Sequence, residues 1–503
     1  MEKEINKKYN KKIIVLFSFL MVIFSISFVI FYFPSIPYFR KYEPSKQKKE
    51  EWITIFTHGA FGSLLGLLNL RDVIRDNVEG TSYKKLLSKM RKDDFFYKNQ
   101  PMLEKGLVKI KPSFDLQACK NKKYAIYPIT KSYQTIVEQI KEKKEKNNFY
   151  TFGWSGLMSQ QRRRKEAIRF YNAIAQEVEN YNKRGISPKI RIIAHSHGGN
   201  LSLNLAGVEK AANNLTEPNK LETIAKNDDE KESLLATLQE IKKLPPKNKL
   251  SAKKGQKLLD YIPEKKDLII DELLMFGTPI QAETESFIFS GIFKKVYNFY
   301  SQEDSVQKLD WVTTKKAYSK QRFNILNNIF GKKPETETLP QVIQAKIMIR
   351  QNMPINTSKQ QTNNTQTSAT NNSNASEETS FWSNLFYFIK RSDDPNHKEL
   401  WFASWENNNL LSPLPAAILS PLYLSVIEKI SDKINDVDLI LNFTDEKVRL
   451  YAFAHNETVI QEKTSIYKWI IDDLKAKTLK WKPEDISLLK EFNIIKKYTN
   501  IIS

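Results

Sequence analysis

The chain has 503 residues, a hydrophobic fraction of 41% and a formal net charge of +22. That apolar share supports a real core and excludes a chain too polar to fold, and the length allows one large domain with insertions or two to three domains. The basic balance would suit nucleic acid or anionic lipid, but the lysines are scattered along solvated helical faces without regular interleaving by aromatics, so no nucleic-acid partner is expected. The one cysteine, Cys119, excludes an intrachain disulfide and a cysteine-based metal site. No His/Asp/Glu cluster has ligand spacing, so no metal and no cofactor are expected.

Residues 1–12 form a lysine-rich tail, and Ile13–Phe33 is an apolar run without a charge. It is long enough to cross a bilayer as a helix. Aromatics and a proline follow it at Tyr32-Phe33-Pro34, where a cleavage site would need small residues. An uncleaved single-pass anchor is therefore expected, against a cleaved signal or a buried core helix. Lysines flank the run on both sides, so its orientation is not set. Residues 34–51 read as a linker.

Trp52–Phe56 is a predicted strand, followed at once by Thr57-His58-Gly59-Ala60-Phe61-Gly62. Residues 64–120 are a long excursion with an apolar helical start, readable as a lid or as a helical hairpin packed elsewhere. Tyr124–Ile129 is a possible strand and Thr130–Lys146 an amphipathic helix. Asn148–Phe152 is a strand closed by Gly153-Trp154-Ser155-Gly156, and Arg162, Arg163 and Arg164 open a helix that runs to about Lys183.

Lys189–Gly207 organises the rest. Ile190, Ile192 and Ile193 predict a buried strand, and Leu201, Leu203 and Leu205 a helix. Between them lies Ala194-His195-Ser196-His197-Gly198-Gly199. A small residue, any residue, Ser, any residue, Gly, set between strand and helix, is the pattern of a nucleophile elbow. A sharp turn exposes the serine hydroxyl, and small residues two positions either side prevent a clash. The competing reading is an ordinary turn whose serine caps the helix.

Residues 213–266 are charged and helical, without chemistry of their own. Strands are predicted at Leu268–Phe276, Lys294–Tyr300 and Val342–Ile349, the second ending in Ser301-Gln302-Glu303-Asp304. Residues 356–380 are a low-complexity Asn/Thr/Ser tract that cannot bury a core. An aromatic stretch at Phe381–Ile389 precedes Asp394-Pro395-Asn396-His397. A helix at Pro413–Lys429, a hairpin from Asp436–Asn442 and Val448–Ala454, and helices at Tyr467–Lys475 and Pro483–Lys497 complete the chain.

Together the segments Thr54–Gly59, Phe152–Gly156, Ala194–Gly199 and Phe276–Pro279, the acid after the next strand and a late histidine resemble the α/β-hydrolase fold, and within it lipases and serine esterases. The resemblance covers about residues 52–430 and implies an α/β-hydrolase fold with a mostly parallel central sheet flanked by helices. The insertions fall at about 64–120, 213–266 and 331–390, and residues 431–503 form a C-terminal α+β extension. Ala194 departs from the usual first glycine of the elbow. The resemblance implies Ser196 as nucleophile, a histidine base, a carboxylate that orients it, and oxyanion donors at the backbone N–H groups of Ala60 and His197. The five histidines are His58, His195, His197, His397 and His455. The first three belong to motif loops, so the order Ser–acid–His leaves His397, with His455 as the alternative. Asp304 leads the acids over Glu303 and Asp310. The implied function is a membrane-anchored serine hydrolase acting on an ester, a lipid by expectation. The alternative is a non-catalytic binding or surface module of the same fold at a membrane.

Overall fold

The structure, a computed structural model, describes residues 50–59, 106–115, 126–140, 146–154, 156, 160–250, 259–264, 267–304, 320–324, 340–351, 394–395, 400, 416–428, 434–454 and 462–479. The chain divides after Lys49, and all described residues belong to the second unit, Glu50–Ser503. The expected anchor at 13–33, the excursion over 64–105, the tract 356–380, the aromatic stretch 381–389 and the helix at 483–497 lie outside the described residues.

Ten strands form one sheet: β1 Glu50–Thr57, β2 Leu107–Ile110, β3 Asn147–Phe152, β4 Ser187–His195, β5 Ile270–Phe276, β6 Phe293–Tyr300, β7 Gln341–Gln351, β8 Ile434–Phe443, β9 Lys447–Ala454 and β10 Glu462–Tyr467. Their order is β10-β9-β8-β7-β6-β5-β4-β1-β3-β2. The seven strands from β3 to β8 pair in parallel. Antiparallel β2 closes one edge, and β9 and β10 the other. The result is an α/β protein with a mostly parallel sheet flanked by helices.

Parallel strands covered on both faces read as near-continuous apolar runs, and β4 does so from Ile190 to Ala194 apart from Arg191. Ile193 belongs to one core, with α1 (Ile126–Ile140), α6 (Ser420–Ile427) and α7 (Lys468–Leu479). Ile190, Ile192 and Ala194 belong to the other, with α2 (Gln160–Lys183), α3 (His197–Asn213) and α5 (Asp228–Lys242). A short helix, α4 (Asn219–Ile224), precedes α5. Residues 213–266 are thus not idle: Leu234, Leu238 and Ile241 of α5 are buried in the second core. At about 1.5–3 kcal/mol for each large side chain removed from water, those three anchor the segment.

The winding of the sheet positions the site. From β1 the chain moves outward to β3, whereas from β4 it moves the other way to β5. β1 and β4 are neighbours, so the winding of the sheet reverses between them. Such reversal points are where open α/β sheets bind ligands. The register brings the exits level. Phe152 pairs with Thr57, Thr57 with Ala194, Ala194 with Met275 and Met275 with Asn298.

Two sequence expectations change. Tyr124–Ile129 is not a strand: from Ile126 onward it is the first turn of α1, where Pro128 is tolerated because that turn's N–H groups have no helical acceptor. Ile129, Tyr133, Ile136 and Val137 then carry the helical spacing into the core. The 64–120 excursion contains β2, introduced by Gly106 at φ +63. The expected hairpin forms from β8 and β9, and β8 also pairs along β7 and continues the main sheet.

One buried ion pair crosses the sheet. Arg191 of β4 and Glu272 of β5 face each other in register. The guanidinium donates to Glu272 and to Tyr133 Oη at 2.9 Å, and lies over the Trp52 ring at 4.1 Å. Removing one partner strands the other charge in the interior. Glu272→Ala is therefore expected to cost about 3–5 kcal/mol in urea unfolding, and Arg191→Met with Glu272→Leu to restore most of it. A single-variant loss below about 1 kcal/mol would contradict the buried pairing.

Candidate active site

β4 ends at His195, Ser196 turns the chain, and α3 starts at His197. Ser196 has φ 50 and ψ −130 and is the one non-glycine with positive φ among the described residues. That backbone costs an L-residue roughly 1–3 kcal/mol. The surroundings hold it. The Ser196 N–H donates to Phe276 O at 2.9 Å, which extends the β4–β5 ladder, and Ser196 O accepts from the Gly199 N–H at 2.9 Å. The serine side chain makes no capping bond to α3, so the helix-cap reading of this turn does not hold.

The turn fits because its neighbours lack side chains. A Cβ on Gly59, in the loop after β1, would stand 2.7 Å from Ser196 Cβ, and one on Gly198 would stand 2.4 Å from His58 O. A Cβ on Gly199 would meet Thr278 Oγ1, in the loop after β5. The loops leaving β1, β4 and β5 thus interlock at backbone distance around Ser196.

His58 holds the first of them. The Trp154 N–H donates to His58 Nε2 at 3.3 Å, so that nitrogen is an acceptor and Nδ1 carries the proton. His58 Nδ1–H then donates to Gly59 O at 2.7 Å. The Trp154 indole N–H donates to His58 O at 2.7 Å, and the two rings stack with centroids 5.4 Å apart. His58 is 1% exposed and ties its loop down. The Gly-Trp-Ser-Gly segment now has a function: Trp154 joins the exit of β3 to that of β1.

The His197 side chain is engaged as well. Its Nδ1 accepts from Arg163 Nη1 at 3.3 Å, and Arg163 Nη2 donates to Gln281 Oε1 at 2.8 Å. The backbone N–H of His197 lies in the first turn of α3, where a helix supplies no acceptor for its own N–H groups and its dipole is positive. Such a group suits a developing oxyanion beside Ser196. The other expected donor, Ala60, lies outside the described residues.

Asp304 follows β6, two strands from β4. It is 0% exposed whereas Glu303 is exposed, so burial separates the two adjacent carboxylates. Its turn closes by Asp304 N–H to Ser301 O at 3.2 Å, and Gln321 Nε2 donates to both Ser301 O and Asp304 O, at 3.1 and 3.2 Å. Asp310, His397 and His455 lie outside the described residues. The segment that leads to His397 starts from a fixed point. Asp394 Oδ1 accepts from the Ile349 N–H at 3.1 Å and from Arg350 Nη1 at 2.7 Å, at the carboxyl end of β7. Leu400, beyond it, is buried in the core.

Sequence reading missed Arg163, Gln321 and Asp394. The Asp394-Pro395 pair carried a turn signal; Gln321 carried none. No family model matches the chain, and no similar chain was found among curated proteins or solved structures. No group of His, Cys, Asp and Glu among the described residues could hold a metal ion. No helix among them is long and apolar enough to cross a membrane.

Proposed function

We propose that this chain is a membrane-anchored serine hydrolase of the α/β-hydrolase type that cleaves an ester, a lipid ester in particular, through Ser196, His397 and Asp304. The observation that carries the reading is the strained Ser196 turn, tightly packed yet doing no capping work. Strain of this kind collects where function needs it. The turn stands at the winding reversal of the sheet, where substrates bind.

The order Ser196, Asp304, His397 is that of the fold family. β6 and β7 are adjacent, so their exits lie about 5 Å apart laterally. His397 is three residues from Asp394, a reach of at most roughly 11 Å. The proposal requires His397 to meet Asp304 above β6 and β7. In the reaction His397 takes the Ser196 proton as Oγ attacks the ester carbonyl, and Asp304 holds the imidazole in the correct tautomer. The tetrahedral oxyanion takes hydrogen bonds from the N–H groups of His197 and Ala60. His397 returns the proton to the leaving alcohol, and water then hydrolyses the acyl-enzyme by the same route.

The test is turnover of a panel of acyl and phospholipid esters by the protein and by Ser196→Ala. Hydrolysis of at least one class, lost in the variant, is expected; equal rates in both would refute the assignment. The apolar run 13–33 motivates a second prediction. Deleting residues 1–33 should move the protein from the membrane pellet to the soluble fraction with esterase turnover retained. A soluble full-length protein with a new N-terminus near Pro34 would instead establish a cleaved signal.

A further inference from the structure

Arg163 breaks two local rules at once. It lies in the first turn of α2, which holds no acidic residue, so its charge sits at the positive end of the helix dipole. It is also 0% exposed, and a buried guanidinium carries a heavy desolvation cost. Sequences break local rules mostly where function requires it. What Arg163 touches is one step from the nucleophile. One arm of its fork donates to His197 Nδ1 at 3.3 Å and another to Gln281 Oε1 at 2.8 Å. Gln281 Oε1 also accepts from Gln160 Nε2 at 2.9 Å. The brace continues, since Ile280 beside Gln281 exchanges backbone hydrogen bonds with Lys320 at 2.7 and 2.9 Å, next to the Gln321 that holds the Asp304 turn.

We infer that Arg163 is a positioning residue for the oxyanion hole: by fixing the imidazole of His197 it fixes the backbone N–H of the residue after the nucleophile. This rests on the serine-hydrolase reading. A guanidinium only donates, so Nδ1 of His197 must accept, and the ring is held unprotonated at that nitrogen. A lysine could supply the charge but not the fork that engages His197 and Gln281 together. The donor matters most when the oxyanion forms, so the effect belongs in kcat more than in KM.

The test is a double-mutant cycle with a soluble short-chain nitrophenyl ester. Arg163→Met and His197→Leu should each lower kcat by about 10–100-fold with KM within about threefold, because small misplacements of a catalytic group are costly. The double variant should be no worse than the weaker single one, since both remove the same brace. His197→Asn keeps an acceptor near the Nδ1 position and should stay within a few-fold of the wild type. Thermal unfolding confirms that each variant is folded, and if Arg163→Met is not, Arg163→Lys takes its place in the cycle with the same expectation. Multiplying losses in the double variant, or unchanged kcat on loss of Arg163, would overturn the inference while leaving the hydrolase reading intact. An inert wild type with an unreactive Ser196 would instead sink that reading.

Discussion

His397→Ala is expected to lower ester turnover by roughly 10⁴–10⁶-fold, close to the loss from Ser196→Ala, because triad members act as a unit. Two of the other four histidines are engaged by other groups. His58 binds Gly59 and Trp154, and His197 binds Arg163. In the proposed order of nucleophile, acid and base, His397 and His455 are the candidates for the base. His397 follows the Asp394 clamp on β7, next to the β6 exit that carries Asp304. His455 follows β9, which runs antiparallel to β8 and so ends beside the amino ends of the parallel strands, opposite to the exits of β4 and β6. His455→Ala should therefore leave turnover within a few-fold. Asp304→Asn should fall between, since a wrong-tautomer imidazole keeps some function. A near-normal His397→Ala enzyme together with a dead His455→Ala enzyme would reverse the assignment.

Gly198→Ala is expected to cost about 100-fold in turnover and roughly 1–3 kcal/mol in stability from one added methyl group. The new carbon would lie 2.4 Å from His58 O and 2.9 Å from Thr57 O. Both are backbone atoms of β1 and its exit loop, so neither can step aside as a flexible side chain would. Either α3 or the His58-Gly59 loop must move, and each carries an expected oxyanion donor. Gly291→Ala is the control, because a Cβ there meets nothing within 4 Å. It should change neither melting temperature nor turnover. A fully active, equally stable Gly198→Ala protein would show that the three loops do not interlock as described.

Much of this site was legible in the sequence, because local chemistry wrote it. The β-branched run at Ile190–Ile193, small residues around Ser196 and the leucines of α3 specify strand, turn and helix together. The Ser301–Asp304 turn follows a strand that ends at Tyr300 with its acid buried. What the sequence did not reveal is long-range. Arg163 reaches His197 across 34 residues, and Trp154 reaches His58 across 96. No periodicity encodes such pairs, and a run of three arginines reads as a solvated helix start. Residues 126–129 misled because isoleucine and tyrosine flanking a proline look β-like locally, while burial against the sheet selected the helix. β8 to β10 looked like an appended unit because a hairpin is locally complete, and only its pairing with β7 joins it to the sheet.

The most direct test of the account is covalent labelling with a fluorophosphonate, followed by mass spectrometry of the peptides. The reagent reacts with serines activated by a base and an oxyanion hole. Among all the serines in the chain, the adduct is expected on Ser196 alone, and labelling is expected to vanish in Ser196→Ala and His397→Ala. An unlabelled wild type, or an adduct on another serine that persists in Ser196→Ala, would contradict the claim that this turn carries the chemistry.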